Sequence, residues 1–170
     1  MESQVSKSEF RNAMARVCAP VNVVTTDGPA GRGGFTATTM CSVTDEPPTL
    51  IVCMNSKSAQ TDLFVQNKQF CVNVLPSEHK DLAANFAGAV SDMSARFASA
   101  EWYLLKSGLP ALREAIVSFD CETVDMHRVG THNILVGRVI DIRQRNDGSA
   151  LLYFDRHYVH VPSQAGSFGG

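Results

Sequence analysis

The chain has 170 residues, of which 44% are hydrophobic and 19% are charged, and its formal net charge is −2. This length suits one domain with a substantial core. There is neither a basic excess nor an acidic block, so the composition does not favour a nucleic-acid partner. No apolar run approaches the roughly 18 residues of a membrane helix, so no membrane partner is expected.

Cysteine usage indicates the cellular compartment. The five cysteines are Cys18, Cys41, Cys53, Cys71 and Cys121. They are odd in number, widely spaced and each in an apolar run, so buried free thiols are expected, and the sequence gives no support for reactive ones. The charged N-terminal segment lacks the apolar region of a signal peptide. A cytoplasmic protein is therefore expected.

The first 33 residues predict a helix followed by a β-hairpin. Ser6 and Glu9 have the spacing of a capping box, and Pro20 is expected to stop the helix. The apolar residues at helical spacing, expected on one face, are Phe10, Ala13, Met14 and Val17. A strand over 21–26 and a glycine-rich turn over 27–33 follow. These glycines do not open a helix, so no Rossmann fingerprint is present.

The next segment, 34–43, carries four hydroxyl side chains within seven positions, at Thr36, Thr38, Thr39 and Ser42. One interpretation is a threonine-rich edge strand, since threonine is a good strand former. The other is a ligand site. Hydroxyls and free backbone N–H groups at a strand end are what a phosphorylated, hydrogen-bonding heterocycle requires.

The rest of the chain predicts short strands with few helices. Strands are expected over 49–54, 70–75, 117–122, 132–143 and 151–154, and helices over 59–67 and 78–86. Ser58 is placed to cap the first of these helices and Gly88 to end the second. The near-continuous apolar run at 49–54 implies burial on both faces, whereas 89–112 has no clear pattern. Six or more strands favour a single β-barrel.

Several blocks, taken in order, resemble the short-chain flavin reductases. They are G-F-T-A-T-T-M-C-S-V, P-P, a hydrophobic strand with N-S-K-S, F-C-V-N-V-L and N-F-A-G. The resemblance runs from about Phe10 to Val161 and implies a mainly β fold, a Greek-key, FMN-binding split β-barrel with a few short helices that works as a homodimer. One domain would span 1–170, with its core at about 10–161 and a flexible tail at 162–170. Within the family the likeness favours the reductase component of 4-hydroxyphenylacetate 3-monooxygenases.

The resemblance also implies where a flavin binds. Residues 56–58 precede a predicted helix, and a helix N-terminus is a natural place for a phosphate. On the family likeness, the flavin-binding residues are Thr36, Ala37, Thr38, Thr39, Cys41, Ser42, Asn55, Ser56, Ser58, Phe86, Ala87 and Gly88. Tyr158, in a segment that resembles the family's L-x-Y-x-x-x-x-Y ending, is expected to close over the ligand, although a core or interface tyrosine fits the pattern equally.

His132 is the candidate catalytic residue. Gly130-Thr131-His132, with Gly137 and Val139, resembles the family's G-D-H-x4-G-x-V motif, in which the histidine faces the flavin and positions the nicotinamide. Thr131 stands where aspartate is usual, which puts in doubt the carboxylate that would orient the imidazole. The other histidines lack metal-ligand spacing, so no metal site is expected.

The resemblance implies an NAD(P)H-dependent flavin reductase that transfers hydride from nicotinamide C4 to flavin N5. The sequence leaves FMN or FAD, and NADH or NADPH, open. Reduced flavin would then serve a partner flavin-dependent monooxygenase acting on a phenolic compound. The alternatives are a non-catalytic flavin-binding electron carrier, another split-barrel enzyme related to pyridoxamine-phosphate oxidase, and a structural barrel.

Overall fold

The computed structural model describes residues 5–163, so the predicted tail lies outside the described residues from position 164 onward. The α-helices are α1 (Lys7–Met14), α2 (Thr61–Asn67), α3 (Lys80–Ala84) and α4 (Met93–Ala98). The strands are β1 (Ala19–Pro20), β2 (Asn22–Thr26), β3 (Gly33–Ala37), β4 (Met40–Asp45), β5 (Pro48–Asn55), β6 (Gln69–Val74), β7 (Trp102–Leu104), β8 (Pro110–Leu112), β9 (Val117–Val129), β10 (His132–Gln144), β11 (Ala150–Phe154) and β12 (His157–Val161). None of the helices within this range is long and apolar enough to cross a membrane.

The main sheet is antiparallel, has seven strands and runs in the order β3-β2-β6-β9-β10-β5-β4. Its two edge strands, β3 and β4, are consecutive in the chain and are separated only by Thr38 and Thr39. Such a link reaches about 10 Å, whereas a flat sheet of this size is about 29 Å across. The sheet must therefore curl until its edges meet. The predicted mainly β, split-barrel fold is confirmed.

The barrel interior is closely packed. Phe64, Phe70, Val52 and Leu135 are completely or almost completely buried there. A Cβ atom at Gly137 would lie 2.4 Å from the ring of Phe70, which is too close for any side chain. Glycine at this position of β10 therefore lets the Phe70 ring lie against the barrel wall.

The predicted burial of strand 49–54 on both faces is wrong. Leu50, Val52 and Met54 are buried, while the residues between them are partly exposed. β5 has its inner face in the barrel, and its outer face is left partly open beside the edge strand β4. The alternation is that of a strand with one covered face.

The helix predictions are confirmed in part. Ser6 and Glu9 form the capping box, with Glu9 N–H donating to Ser6 Oγ at 3.2 Å. The helix ends at Met14, ahead of Pro20, and its apolar residues Phe10 and Met14 are 60% and 49% exposed because α1 stands away from the barrel. Ser58 does not cap α2, which begins at Thr61; its hydroxyl accepts from Gln60 N–H in the preceding turn.

The second predicted helix is divided into three pieces. A 3₁₀ turn over Ser77–His79 leads into α3, and a π-helical turn over Asn85–Ala89 follows. Gly88, predicted to end the helix, interrupts the helical backbone inside this turn, one residue before the turn ends at Ala89, and its φ of +116° suits glycine. The segment without a clear pattern, 89–112, contains α4 and the β7–β8 hairpin.

Cysteine burial differs from the prediction. Cys71 and Cys121 are buried, but Cys18 and Cys41 are exposed and Cys53 is partly exposed. Cys18 lies in the link after α1, and Cys41 lies on the edge strand β4. An apolar sequence neighbourhood did not produce burial at these positions because neither segment is covered by another element.

We expect the cysteines to react in the order of their exposure. Iodoacetamide at neutral pH should alkylate Cys18 and Cys41 first and Cys53 more slowly, leaving Cys71 and Cys121 unmodified until unfolding. Burial raises the pKa of the Cys53, Cys71 and Cys121 thiols, so the reactive thiolate is scarce there. Mass spectrometry of timed samples gives the order, and a sample unfolded in urea is the control. Alkylation of Cys71 in the folded protein as fast as Cys18 would contradict this assignment.

A buried carboxyl group on the sheet makes stability depend on pH. Asp120 on β9 is 1% exposed and faces Asp141 on β10. Burial raises the pKa of the Asp120 carboxyl and the Asp141 carboxylate raises it further, although hydrogen bonding by Ser107 opposes the shift. Folding therefore favours the protonated form, so this group makes folding less favourable as pH rises from its ordinary pKa through the raised one.

We expect Asp120→Asn to raise the melting temperature by a few degrees at about pH 7, because the neutral amide removes a buried charge. The gain should shrink as the pH falls towards about 4, where the native carboxyl is itself protonated. Thermal unfolding at several pH values measures it. Asp45→Asn, at an exposed position at the end of β4, is the matched control and should change little. A gain that does not vary with pH would refute the explanation.

Candidate active site

Two cavities meet at His132. The smaller cavity has a volume of about 390 Å³, and the larger cavity has a volume of about 1340 Å³. Both are lined by Thr38, Thr39 and His132. The link that closes the barrel therefore forms part of the wall of both.

The smaller cavity lies where the sheet edges meet. Its lining residues are Gly34, Phe35, Thr36, Ala37, Thr38, Thr39, Cys53, Met54, Asn55, Ser58, Gln60, Phe86, Ala87, Gly88, Arg96 and His132. They come from β3, the end of β5, the turn before α2, the π turn, α4 and the start of β10. These segments are far apart in sequence, and only the closed barrel brings them together.

Close packing between β3 and the π turn shapes this cavity. A Cβ atom at Gly34 would lie 2.8 Å from the Phe86 ring, so glycine allows the turn to approach the strand. The Thr36 hydroxyl donates to Ala83 O at 2.6 Å, which ties the end of α3 to β3. Thr36 thus lines the cavity while its hydroxyl donates to the protein.

Most of the predicted site residues line the smaller cavity. They are Thr36, Ala37, Thr38, Thr39, Asn55, Ser58, Phe86, Ala87, Gly88 and His132. Cys41 lines the larger cavity. The fold thus brings the hydroxyl-rich strand, the N-S-K-S segment and the N-F-A-G segment together around the smaller cavity.

Three predicted residues line neither cavity. Ser42 directly follows Cys41 on β4, and successive residues of a strand point to opposite faces. Ser56 donates its hydroxyl to Thr131 O at 3.0 Å, which ties the N-S-K-S segment to the β9–β10 loop. The Tyr158 ring packs edge-on against the Tyr153 ring at 5.5 Å, and it is Tyr153 that reaches the larger cavity.

Sequence reasoning missed two polar residues of the smaller cavity. Gln60 was expected inside a helix, but it precedes α2, and its Oε1 is buried with no hydrogen-bond partner within residues 5–163. Arg96 lies on α4, and its Nε donates to Val90 O at 2.5 Å. The available signal was Asp92, whose carboxylate caps α4 by accepting from Ala95 N–H at 2.8 Å.

These features suit a flavin mononucleotide. The orphaned Oε1 of Gln60 is an acceptor for a ligand N–H group, of the kind that the flavin pyrimidine edge carries. The guanidinium of Arg96 keeps N–H donors that can bind a phosphate. Phe86, Met54 and Ala37 supply the apolar surface that a ring system needs.

His132 is held by its neighbour. It opens β10 directly after the two-residue loop Gly130-Thr131, in which Gly130 has a φ of +56°. Thr131 Oγ1 lies 3.0 Å from His132 Nδ1. The Thr131 hydroxyl therefore lies where the family motif has the aspartate that would orient the imidazole. Because a hydroxyl can donate or accept a hydrogen bond, it can bond to Nδ1 in either tautomer of the ring.

Within residues 5–163, no group of three or more histidine, cysteine, aspartate or glutamate side chains is arranged to hold a metal ion. The smaller cavity has no carboxylate in its wall. Hydride transfer between two bound nucleotides requires neither.

Known proteins share both the sequence and the fold. A family model described as flavin reductase like domain matches residues 14–162. The FMN reductase (NADH) RutF of Pantoea ananatis is 49% identical over 157 residues, which is 92% of this chain and 82% of that protein. The FMN reductase (NADH) RutF of Pseudomonas syringae is 46% identical over 160 residues, which is 94% of this chain and 89% of that one.

Solved structures of flavin reductases have the same fold. A protein described as a flavin reductase from Haemophilus somnus superposes with a TM-score of 0.89 at 43% identity, covering 92% of this chain and 100% of that one. Flavin reductase PheA2 superposes with a TM-score of 0.84 at 28% identity, covering 94% and 100%. The predicted enzyme class, NAD(P)H:flavin oxidoreductase, is confirmed, but the reported relatives do not bear out a particular likeness to 4-hydroxyphenylacetate monooxygenase reductases. The chain belongs to the flavin reductase family.

Proposed function

We propose that this protein is an NADH-dependent FMN reductase, in which FMN occupies the smaller cavity and NADH enters through the larger one. The observation that carries the proposal is that the two cavities share Thr38, Thr39 and His132. Hydride transfer requires the two rings face to face at about 3–3.5 Å. Two adjoining cavities with a common wall provide that arrangement, and the RutF relatives are named for these two substrates.

FMN would be held by the residues of the smaller cavity. Gln60 Oε1 accepts a hydrogen bond from the pyrimidine edge, Phe86 and Met54 pack against the ring, and Arg96 binds the phosphate. A single phosphate beside one guanidinium favours FMN, because the adenylate half of FAD would need further room in a cavity of about 390 Å³. The hydride step belongs to the two nucleotides, and the protein contributes binding, orientation and exclusion of water.

His132 would position the nicotinamide. Its imidazole lies in the wall common to both cavities, and Thr131 engages Nδ1, which leaves Nε2 for the donor nucleotide. The predicted flavin-site residues that line the smaller cavity remain part of this proposal. Cys41 would instead line the donor's cavity, Ser56 would act by holding the Thr131 loop, and Ser42 has no place in the site. Tyr153 would contribute to the donor's cavity in place of Tyr158.

The partners follow from the chemistry. Reduced flavin is a diffusible product, so we propose a flavin-dependent monooxygenase as its consumer. The RutF relatives give no support to a phenolic substrate, and the proposal stops at the class of oxygenase. A second copy of the chain is the proposed cover for the exposed apolar residue Phe10 of α1, which lines neither cavity. One domain over 1–170 in the cytoplasm remains our expectation.

We expect purified protein to oxidise NADH only when flavin is added, with a higher kcat/KM for FMN than for FAD and for NADH than for NADPH. A steady-state assay that crosses two flavins with two nicotinamides measures these ratios. Protein without added flavin and flavin without protein are the controls. Tight FMN binding with no NADH oxidation would instead identify an electron carrier. A bound pyridoxal product would indicate an oxidase.

We expect His132→Ala to raise the KM for NADH or to slow hydride transfer, because the imidazole positions the donor. The loss should be about 1–3 kcal/mol of transition-state stabilisation, with little change in the Kd for FMN. Thr131→Ala should give a smaller loss in the same direction. His127→Ala is the matched control, since that exposed histidine on β9 lines neither cavity.

Stopped-flow kinetics at saturating FMN and flavin titration separate the two quantities. If His132→Ala weakens FMN binding and leaves the hydride-transfer rate at saturation unchanged, the residue belongs to the flavin site. If the variant mainly lowers the melting temperature, its role is structural.

A further inference from the structure

The larger cavity has a cationic wall. Lys7, Arg11 and Arg156 line it, and none of its lining residues is aspartate or glutamate. Within the described part of the chain, neither Lys7 nor Arg11 makes an ion pair. Cations without carboxylate partners around a cavity attract a polyanionic ligand.

Arg156 has a left-handed backbone conformation, which favours residues other than arginine. Asp155 and Arg156 form the two-residue loop between β11 and β12, with φ values of +49° and +64°. Hairpin loops of this kind favour glycine, which has no Cβ atom to clash in left-handed backbone, and asparagine or aspartate, whose short polar side chains can hydrogen-bond locally. An arginine at this position is not explained by the turn. Strained residues of this kind concentrate where the side chain has a function.

The loop and α1 form one wall. Asp155 N–H donates to Ala15 O at 2.7 Å, and Arg156 Nη2 donates to Asn12 Oδ1 at 2.6 Å. These contacts fix the guanidinium at the cavity before a ligand binds, which reduces the entropy lost on binding. Only one of its five N–H donors is used by Asn12, so others remain for a ligand.

We propose that Arg156, assisted by Arg11, binds the diphosphate bridge of the reduced nicotinamide dinucleotide. This deepens the proposed function and rests on it. The larger cavity extends from His132 to α1 and the β11–β12 loop, so a dinucleotide anchored at Arg156 has its nicotinamide end towards the shared wall. A planar guanidinium binds phosphate oxygens through paired hydrogen bonds. Arg156 is thus a positioning residue for the hydride donor.

A donor without phosphate tests this directly. The variants are Arg156→Ala and Arg156→Lys, each assayed with saturating FMN and either NADH or 1-benzyl-1,4-dihydronicotinamide, which carries no phosphate. With NADH, Arg156→Ala should lower kcat/KM roughly 10- to 100-fold, mainly through KM, as expected for a lost charge-assisted hydrogen bond. Arg156→Lys should restore part of it. With the phosphate-free donor, kcat/KM should not change.

Two further variants separate binding from folding. Arg156→Gly should lower kcat/KM for NADH as alanine does, yet leave the melting temperature unchanged or higher, because glycine relieves the left-handed strain. Arg16→Ala is the matched control. Arg16 pairs with Asp155 at 3.2 Å and lies over the Phe154 ring, beside the same loop, but it lines neither cavity. It should leave activity with both donors unchanged.

Each other outcome overturns the assignment. An equal loss with both donors would mean that Arg156 acts by holding α1. A weaker Kd for FMN in Arg156→Ala, with unchanged KM for NADH, would place the flavin phosphate at this wall. If the unaltered protein transfers hydride from neither donor, the proposed function itself fails and the diphosphate site fails with it.

Discussion

A two-residue connection between opposite edges of the sheet is the constraint on which the remaining structure depends. Thr38 and Thr39 join β3 to β4, and so short a link forces the seven strands to curl until the edges meet. The link stays attached to β5, because Cys53 N–H donates to Thr39 O at 3.4 Å. Thr38 and Thr39 line both cavities, so the site arises from the way the barrel closes.

Hydrogen bonds around this closure connect its segments to one another. The Thr36 hydroxyl and the Ser56 hydroxyl hold neighbouring segments in place, through Ala83 O and Thr131 O. Thr131 in turn contacts the His132 ring. A chain of contacts thus connects the N-S-K-S segment to the candidate nicotinamide-positioning residue. A neutral hydroxyl thus lies beside the imidazole at the position where the family motif has aspartate.

The sequence correctly predicted a helix cap, a helix break and a turn, which depend on local chemistry. The capping box at Ser6, the break in the helical backbone at Gly88 and the tight loop before His132 are each decided by a few neighbouring residues. Arg96 and Gln60 were missed because their positions depend on where α4 and α2 begin, and one weak cap marks the first of these. Ser42 was assigned to the ligand site because face alternation past the Thr38-Thr39 break depends on the pairing of β4 with β5. The role of Arg156 depends on a backbone conformation that residue identity alone does not reveal.

The smaller cavity is built from segments that are far apart in the sequence, and this affects when it can form during folding. His132 pairs with Asn55 across β10 and β5, and Phe86 reaches β3 from yet another part of the chain. No hairpin formed early can contain this cavity, because its walls meet only after pairings of high contact order are complete. A flavin that binds only the finished barrel shifts the folding equilibrium towards it by mass action. Flavin supply in the cell would then add to the free energy of unfolding of the chain as well as determine its catalytic rate.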